Sequence, residues 1–293
     1  MIPGFLLLGS HLGDPERKIL SPSQLRLLTN RLRICQRQDH GELTLRDLMA
    51  LGYGEDLSRR ILYLLSQEDQ MEDYLALGRS RDCFPLTRGE ETYPALVRKR
   101  LGGECPGCFF YKGDLRILEK PAISLVGSRD LNPANRDFAR EAGRQAALHG
   151  LALVSGNARG ADREAQQACL EAGGQVISVV ADALSTKAVR PHVLYLSQED
   201  FDAPFTAQRA LSRNHVIHTL GYLTLVAQCS LGSGGTWSGT TRNLQQGWSL
   251  VVCFRDGSPA SLELQSRGAY LLETGDLKDL SDLRPAQSSF YTD

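Results

Sequence analysis

Three apolar runs in this chain each stop in a turn rich in glycine and serine. The runs cover residues 122–126, 151–154 and 223–227. Short, continuous apolar runs are typical of buried parallel strands. A strand that ends in small residues before a helix leaves backbone N–H groups free at the N-terminus of that helix, where phosphate is the usual anion. The runs therefore predict a phosphate site at the carboxyl edge of a parallel sheet.

Predicted strands, turns and helices alternate from Pro121 onward, and this pattern predicts the fold class. Further strands are expected at residues 175–180 and 250–254, and helices at residues 133–148 and 162–172. Apolar strands that alternate with helices favour an α/β protein. We expect a doubly wound, mostly parallel Rossmann-like sheet preceded by a small helical domain.

The domain boundary is predicted near residue 80. Residues 1–80 carry apolar residues at helical spacing and predict the helical domain, whereas residues 81–293 form the Rossmann-like domain. Residues 79–89 read as a linker, so we expect the sheet domain to be separable. The segment Gly52-Tyr53-Gly54 would also suit a helix-turn-helix joint, although a packed helical bundle is favoured.

Composition excludes several classes of protein. The net charge of -1 excludes a strongly basic, histone-like binder, so nucleic-acid binding would need a local cluster of charge. No apolar run approaches the roughly 18 residues of a membrane helix. Residues 5–8 are too short for the apolar region of a signal peptide. We therefore expect a cytoplasmic protein with no membrane partner.

The cysteines and histidines do not predict a metal site. Cys105 and Cys108 form a C-x-x-C pair, but no second pair supplies the other ligands of a zinc site, and a strand follows rather than a helix. His215 and His218 lack further ligands at a suitable spacing. We expect structural thiols, no metal and no cofactor.

Candidate phosphate ligands lie in four segments that combine glycine, hydroxyl and arginine residues. Glycine permits close approach of the backbone, and the arginine fork matches phosphate. The candidates are Gly127, Ser128, Arg129, Ser155, Gly156, Arg159, Gly160, Arg213, Asn214, Ser233, Gly234, Gly235 and Thr236. Asp162 could serve the site or only cap the next helix. The segment 232–241 could be a binding loop with Trp237 stacked on a base, or a flexible loop with a buried Trp237.

These motifs resemble the DprA/Smf family of DNA-processing proteins, within the wider group that includes the LOG-type nucleotide-binding proteins. The resemblance covers about residues 84–272. Its landmarks are Tyr93-Pro94-Ala-Leu96, Phe110-Tyr111-Lys112-Gly113-Asp114, Val126-Gly127-Ser128-Arg129, Ser155-Gly156-x-Ala158-Arg159-Gly160-x-Asp162, residues 168–174 and Arg213-Asn214. The chain departs from the family pattern at Gln166, His215 and Gln228.

The resemblance implies a single-stranded DNA-binding protein. It also implies self-association as a homodimer and loading of the RecA recombinase during DNA uptake, natural transformation and recombination. An alternative is a sensor whose same pocket holds a mononucleotide. A LOG-type phosphoribohydrolase is a further alternative, but that activity needs a glutamate after the last glycine turn, where this chain has Gly239. We therefore expect no enzyme activity and no catalytic residues.

Overall fold

Five short helices come first in the computed structural model, which describes residues 2–34 and 43–283. They are α1 (Ile2–Gly9), α2 (Pro22–Ile34), α3 (Leu45–Ala50), α4 (Glu55–Leu65) and α5 (Glu68–Ser80). Local sequence explains where α3 begins. The Thr44 hydroxyl accepts a hydrogen bond from the Asp47 backbone N–H, and the Asp47 carboxylate accepts one from the Thr44 N–H. This capping box satisfies N–H groups at the start of the helix.

Among the residues that the structure describes, nine strands follow and form one sheet. They are β1 (Phe84–Thr87), β2 (Cys108–Lys112), β3 (Ala122–Val126), β4 (Ala152–Ser155), β5 (Gln175–Val179), β6 (Val193–Ser197), β7 (Leu223–Val226), β8 (Leu250–Phe254) and β9 (Tyr270–Leu272). The order across the sheet is β1-β2-β6-β5-β4-β3-β7-β8-β9. The β1–β2 and β2–β6 pairs are antiparallel, and the remaining pairs are parallel. The α/β, mostly parallel fold predicted from the apolar runs is confirmed.

Six helices accompany the sheet. They are α6 (Ala95–Leu101), α7 (Pro133–Leu148), α8 (Ala161–Glu171), α9 (Ala207–Leu220), α10 (Gly234–Gln246) and α11 (Pro259–Ser266). Separate apolar clusters contain Phe138 and Ala165, which lie on α7 and α8, and Val216 and Leu264, which lie on α9 and α11. Helices that cover both faces of a parallel sheet bury its strands on both sides. None of the helices in the described ranges is long and apolar enough to span a bilayer.

The strand order reverses direction between β3 and β7. From β3 the chain builds outward through β4 and β5 to β6, and it then returns to pair β7 with the other side of β3. At such a switch point the connections after two neighbouring strands leave on opposite faces of the sheet and open a crevice at its carboxyl edge. The turns that follow β3 and β7 therefore face the same space.

The helical segment packs directly on the sheet. Tyr74 of α5 stacks on Phe201, with ring centroids 4.4 Å apart, and its hydroxyl donates to Asp202 Oδ1 over 2.7 Å. The Ser10 hydroxyl donates to buried Asp200 over 2.7 Å. One apolar cluster thus contains residues from both parts of the chain. Independent folding of the two predicted domains stays a prediction.

Three local predictions differ from the structure. Strand β1 lies inside the segment predicted as a linker, because its pairing with β2 and the burial of Leu86 and Thr87 outweigh the signal of Pro85. The sequence predicts a helix that starts just after Arg213 and Asn214 and runs into Leu220, but both residues lie within α9, which begins at Ala207. The turn predicted from Gly232 is short, since α10 already begins at Gly234.

Candidate phosphate-binding site

A cavity of about 450 Å³ lies at the switch point. The turn after β3, the first turn of α10 and one face of α9 enclose it. Among the predicted phosphate ligands, those that line this cavity are Gly127, Ser128, Arg129, Arg213, Asn214, Ser233, Gly234, Gly235 and Thr236. The fold thus gathers segments that lie up to about a hundred residues apart in the sequence around one concave surface.

Backbone hydrogen bonds hold the turn after β3 in place. The Ser128 N–H donates to the Gln228 carbonyl over 2.8 Å, and the Ser128 carbonyl accepts from the Ala161 N–H over 3.1 Å. A side chain on Gly127 would collide with Ala161 and Ala227, so the close packing of this turn requires glycine. The turn is therefore fixed to β7 on one side and to α8 on the other.

The turn after β4 is organised by Asp162. This carboxylate is buried, and its Oδ2 accepts hydrogen bonds from the N–H groups of Gly156 (3.0 Å) and Ala158 (3.2 Å). Burial raises the pKa of Asp162, while the charge of Arg213 and the two backbone donors lower it. Asp162 thus holds the turn before α8 and does not cap that helix, whose N-cap residue is Gly160, and it also lines the cavity.

Two predicted ligands of this second turn do not reach the cavity. The Ser155 hydroxyl is fully buried and accepts a hydrogen bond of 2.6 Å from Gln166 Nε2. Gly160 has a φ of 86°, and a Cβ atom there would collide with the carbonyl groups of Ser128 and Arg129. Both residues shape the turn rather than line the cavity.

Arg213 is the most unusual residue of the site. Its side chain projects from α9 and the residue is only 7% exposed. Among the described residues the guanidinium of Arg213 has no hydrogen-bond partner. Its Nε atom is shielded from solvent and is also without a partner there. Burial lowers its pKa from the ordinary arginine value, opposed by the charges of Asp162 and Asp182. A buried guanidinium without a hydrogen-bonded acceptor is costly, so its position favours an incoming anion.

The N-terminus of α10 faces the same cavity. Ser233 is the N-cap residue, and its side chain makes no capping hydrogen bond. The first N–H groups of a helix have no partner within the helix, and the helix dipole adds positive potential there. The Thr236 hydroxyl donates to the Gly127 carbonyl over 3.0 Å, and Asn214 Nδ2 donates to the Gly235 carbonyl over 3.3 Å. These two side chains position the turns, and the backbone of α10 supplies donors for an anion.

A second cavity, of about 270 Å³, adjoins the first. Gly156 and Arg159 line it, and Arg129 and Arg213 line both cavities. Sequence reasoning missed its other charged and aromatic side chains because they come from α8 and from two separate connections and stand outside the motifs. These missed residues are Arg163, Asp182, Lys187 and Phe205.

The remaining candidates have structural partners. Trp237 is half-buried against the core, with the Arg267 guanidinium 5.4 Å from its ring centroid, which argues against a flexible loop. His218 is fully buried beside Asn243 and Thr224, and burial lowers its pKa to about 3. Across the ranges that the structure describes, no cluster of potential metal ligands is present.

Comparison with known proteins identifies a matching family and several relatives. A family model described as DNA recombination-mediator protein A matches residues 85–275. Protein Smf of Escherichia coli is 30% identical over 140 residues, which are 44% of this chain and 37% of Smf. DNA processing protein DprA of Streptococcus pneumoniae is 35% identical over 208 residues, which are 66% of this chain and 69% of that protein. The match to Smf thus spans little more than a third of that relative's length.

Solved structures agree with the fold. DprA from S. pneumoniae superposes with a TM-score of 0.71 at 22% identity, covering 92% of this chain and 95% of that one. A structure of DprA from Helicobacter pylori, reported for its single-stranded DNA binding mode, gives a TM-score of 0.57 at 20% identity and covers 68% of this chain and 96% of that one. The family model covers the whole parallel sheet, including both turns at the switch point, and the chain therefore belongs to the DprA/Smf family of DNA-processing proteins.

Proposed function

We propose that this chain binds single-stranded DNA, with the phosphate backbone at the carboxyl edge of the sheet. Arg213 carries the proposal: a buried guanidinium without a hydrogen-bond partner in the described structure faces a cavity that also receives the N-terminus of α10. Two different sources of positive potential meet there, one from a side chain and one from a helix dipole. A phosphate diester fits both.

Family membership supports DNA as the source of that phosphate. The relatives are DNA-processing proteins, and the H. pylori relative is described as binding single-stranded DNA. The net charge of -1 does not oppose this role, because the arginines that line the cavities are concentrated on one edge of the sheet.

Fluorescence anisotropy with a labelled oligo-dT at low salt tests the proposal. Arg213→Gln removes the charge while keeping a shorter polar side chain, and we expect it to weaken binding about tenfold or more, because a charge-assisted hydrogen bond is lost. Arg140→Ala is the matched control, since Arg140 is paired with Glu164 and Glu171 outside the cavity. The proposal fails if wild-type protein does not bind oligo-dT, or if Arg213→Gln binds it as tightly as wild type.

A mononucleotide sensor is the second candidate. The 450 Å³ cavity favours it, because a volume of that size can enclose one small ligand. Competition of unlabelled thymidine 5′-monophosphate against labelled oligo-dT separates the two functions. Tight binding of the mononucleotide without salt-dependent binding of oligo-dT would establish the sensor instead.

We further propose that the site binds without catalysis. Asp162 supplies the carboxylate that lines the larger cavity, and its Oδ2 already accepts two backbone N–H groups. The Thr236 hydroxyl donates to the Gly127 carbonyl, so neither group is placed as a general acid or base. The test is release of free base from nucleoside monophosphates or of phosphate from ATP. Turnover that disappears in Thr236→Ala would show an enzyme.

Loading of the RecA recombinase, self-association as a homodimer and a cytoplasmic location complete the proposal. Membership of a family of DNA-processing and recombination-mediator proteins supports all three. The decisive experiment is RecA filament assembly on oligo-dT with and without this protein. A rate of assembly that the protein leaves unchanged would remove RecA from the list of partners.

A further inference from the structure

We propose that a cavity between the helical segment (α1 to α5) and the sheet binds a small organic cation, namely an ammonium or guanidinium group on a short hydrocarbon chain. This cavity has a volume of about 250 Å³. Among the described residues, none lines both this cavity and one of the two cavities described above. The cation site is therefore separate from the proposed DNA site and takes a ligand of the opposite charge.

One wall of this cavity is apolar and comes from the helical segment. Ile19 and Leu20 lie in the connection before α2, and Pro22 and Leu25 lie near the start of that helix. The Leu25 side chain fills the space that a Cβ atom on Gly107 would need, so α2 packs closely against the segment before β2. This wall offers apolar surface to a hydrocarbon chain.

The opposite wall carries three carboxylates. Glu199 and Asp200 lie after β6, and Glu104 lies between α6 and β2. No lysine or arginine of the described ranges lines the cavity. Burial and the nearby charges of Asp200 and Glu199 raise the pKa of the Cys108 thiol, which also lines the cavity. The negative potential of this wall favours a cation.

Asp200 is the carboxylate that gains most from a cation. It is only 8% exposed, and its two oxygens accept hydrogen bonds from the Ser10 hydroxyl and the Gly13 N–H, each over 2.7 Å. Both donors are neutral, and no ion pair links Asp200 to a lysine or arginine in the part of the chain that the structure describes. A buried charge without an opposite charge beside it is costly, so a cation in the cavity lowers that cost.

The other two carboxylates have arginine partners of unequal strength. Arg242 Nη2 donates to both oxygens of Glu104, over 2.8 and 2.6 Å, so the charge of Glu104 is neutralised. Glu199 lies 3.6 Å from Arg209 Nε, and this longer contact is a weak ion pair. Glu199 can therefore contact a cation in the cavity at little cost.

His11 adds a further acceptor to the cavity. Its Nδ1 atom is shielded from solvent and has no hydrogen-bond partner within residues 2–34 and 43–283. A neutral imidazole can accept a hydrogen bond through this nitrogen, whereas ammonium and guanidinium groups supply only donors. Pockets for drug-sized ligands have about 300–1,000 Å³, so this cavity suits a smaller molecule.

Isothermal titration calorimetry of the full chain with butylguanidine and butylurea tests the cation site. The two molecules have nearly the same shape, but only butylguanidine carries a positive charge. We expect saturable binding of butylguanidine and binding of butylurea that is about tenfold weaker or more, because the charge-assisted hydrogen bonds to the carboxylates are lost. The site is excluded if butylguanidine does not bind or if butylurea binds equally well.

Variants of the carboxylates locate the binding in this cavity. Glu199→Gln and Asp200→Asn should each weaken butylguanidine binding about tenfold. Glu273→Gln is the matched control, since Glu273 pairs with Arg255 over 3.3 Å outside the cavity, and it should bind as wild type does. Asp200→Asn also disturbs the hydrogen bonds from the helical segment, so Glu199→Gln decides the test if that variant does not fold. Wild-type affinity in Glu199→Gln would overturn the proposal.

Two further ligands distinguish the sources of such a cation. Agmatine represents a free amine, and Nα-acetyl-arginine amide represents an arginine side chain of another protein. Tighter binding of agmatine would identify a free amine as the natural ligand. Tighter binding of the amide would instead identify this cavity as the point at which a partner protein inserts a basic side chain.

Discussion

The guanidinium of Arg213 occupies the space that a Cβ atom on Gly156 would need. The two residues are far apart in sequence, on α9 and on the turn after β4. Gly156 has no positive φ angle, so its backbone conformation does not itself require glycine. The glycine is needed there because of its neighbour's side chain and not because of its own conformation.

Gly156→Ala should therefore act as a binding mutation. The added methyl group pushes the flexible end of Arg213 aside, so we expect a loss of oligo-dT affinity similar to that of Arg213→Gln, about tenfold. The double variant should bind no more weakly than Arg213→Gln alone, because both changes remove the same contact. Anisotropy measures the effect, and additive losses would contradict it.

Gly160→Ala should instead destabilise the fold. Gly160 has φ 86° and ψ -130°, a region that is nearly restricted to glycine, and a Cβ atom would meet rigid carbonyl groups of the turn after β3. We expect a loss of about 2 kcal/mol or more in the free energy of unfolding, measured in urea. Gly173→Ala is the control, since its φ is 78° but nothing lies within 4 Å, and it should lose only about 1 kcal/mol.

Arg129→Ala should change the salt dependence of DNA binding. The side chain is exposed at the mouth of both cavities, where it can contact a phosphate of any nucleotide. Loss of one phosphate contact lowers the slope of log affinity against log salt by about 0.7 on single strands. Titrations from low to moderate salt measure that slope. A slope equal to that of wild type would show that Arg129 contacts no phosphate.

Acidification should destabilise the protein through His218. Burial lowers the pKa of His218 from 6.5 to about 3, so the unfolded chain takes up a proton at a higher pH than the folded chain does. Its stabilising contribution is present above pH 6.5 and is lost as the pH falls toward 3, with a slope of up to about 1.4 kcal/mol per pH unit. His218→Gln should show a smaller decline in unfolding free energy over that window. An identical decline would exclude this histidine as the cause.

Tyr74→Ala should lower the stability of the whole chain. Tyr74 joins α5 to Phe201 and Phe110 of the sheet, so its removal leaves a cavity between the two predicted domains. We expect a loss of about 3 kcal/mol or more in a single cooperative transition. Tyr63→Ala, at a residue that is 63% exposed, should have little effect. Two separate transitions would support the separable domain expected from the sequence.

The sequence predicts the parallel sheet well because its strands are continuous apolar runs. Both turns of the switch point could be located in the same way, since small residues follow β3 directly and a glycine-rich segment begins a few residues after β7. The burial of Arg213 could not be predicted, because it depends on how α9 packs against the turn after β4. The direction of the Ser155 hydroxyl depends on Gln166, which lies on the next helix. Such facts belong to tertiary packing and leave no local pattern.

The second cavity was beyond prediction for a related reason. Arg163 lies on α8, Lys187 and Phe205 lie in two different connections, and none of them stands in a motif. Strand β1 was missed because Pro85 reads as a breaker, although proline is tolerated in a strand at the edge of a sheet. Pro85 therefore misled the interpretation at an edge of the sheet, where a proline is tolerated.

The same peripheral strands decide how two copies of this protein can meet. The sheet ends in β1, which has four residues and a proline, and in β9, which has three residues. Edges so short offer few free N–H and C=O groups to a strand of another molecule, and this protects a wide sheet from edge-to-edge aggregation. We therefore expect any homodimer to assemble through side chains on the helices and loops. The sheets of the two copies would then not join into one continuous sheet.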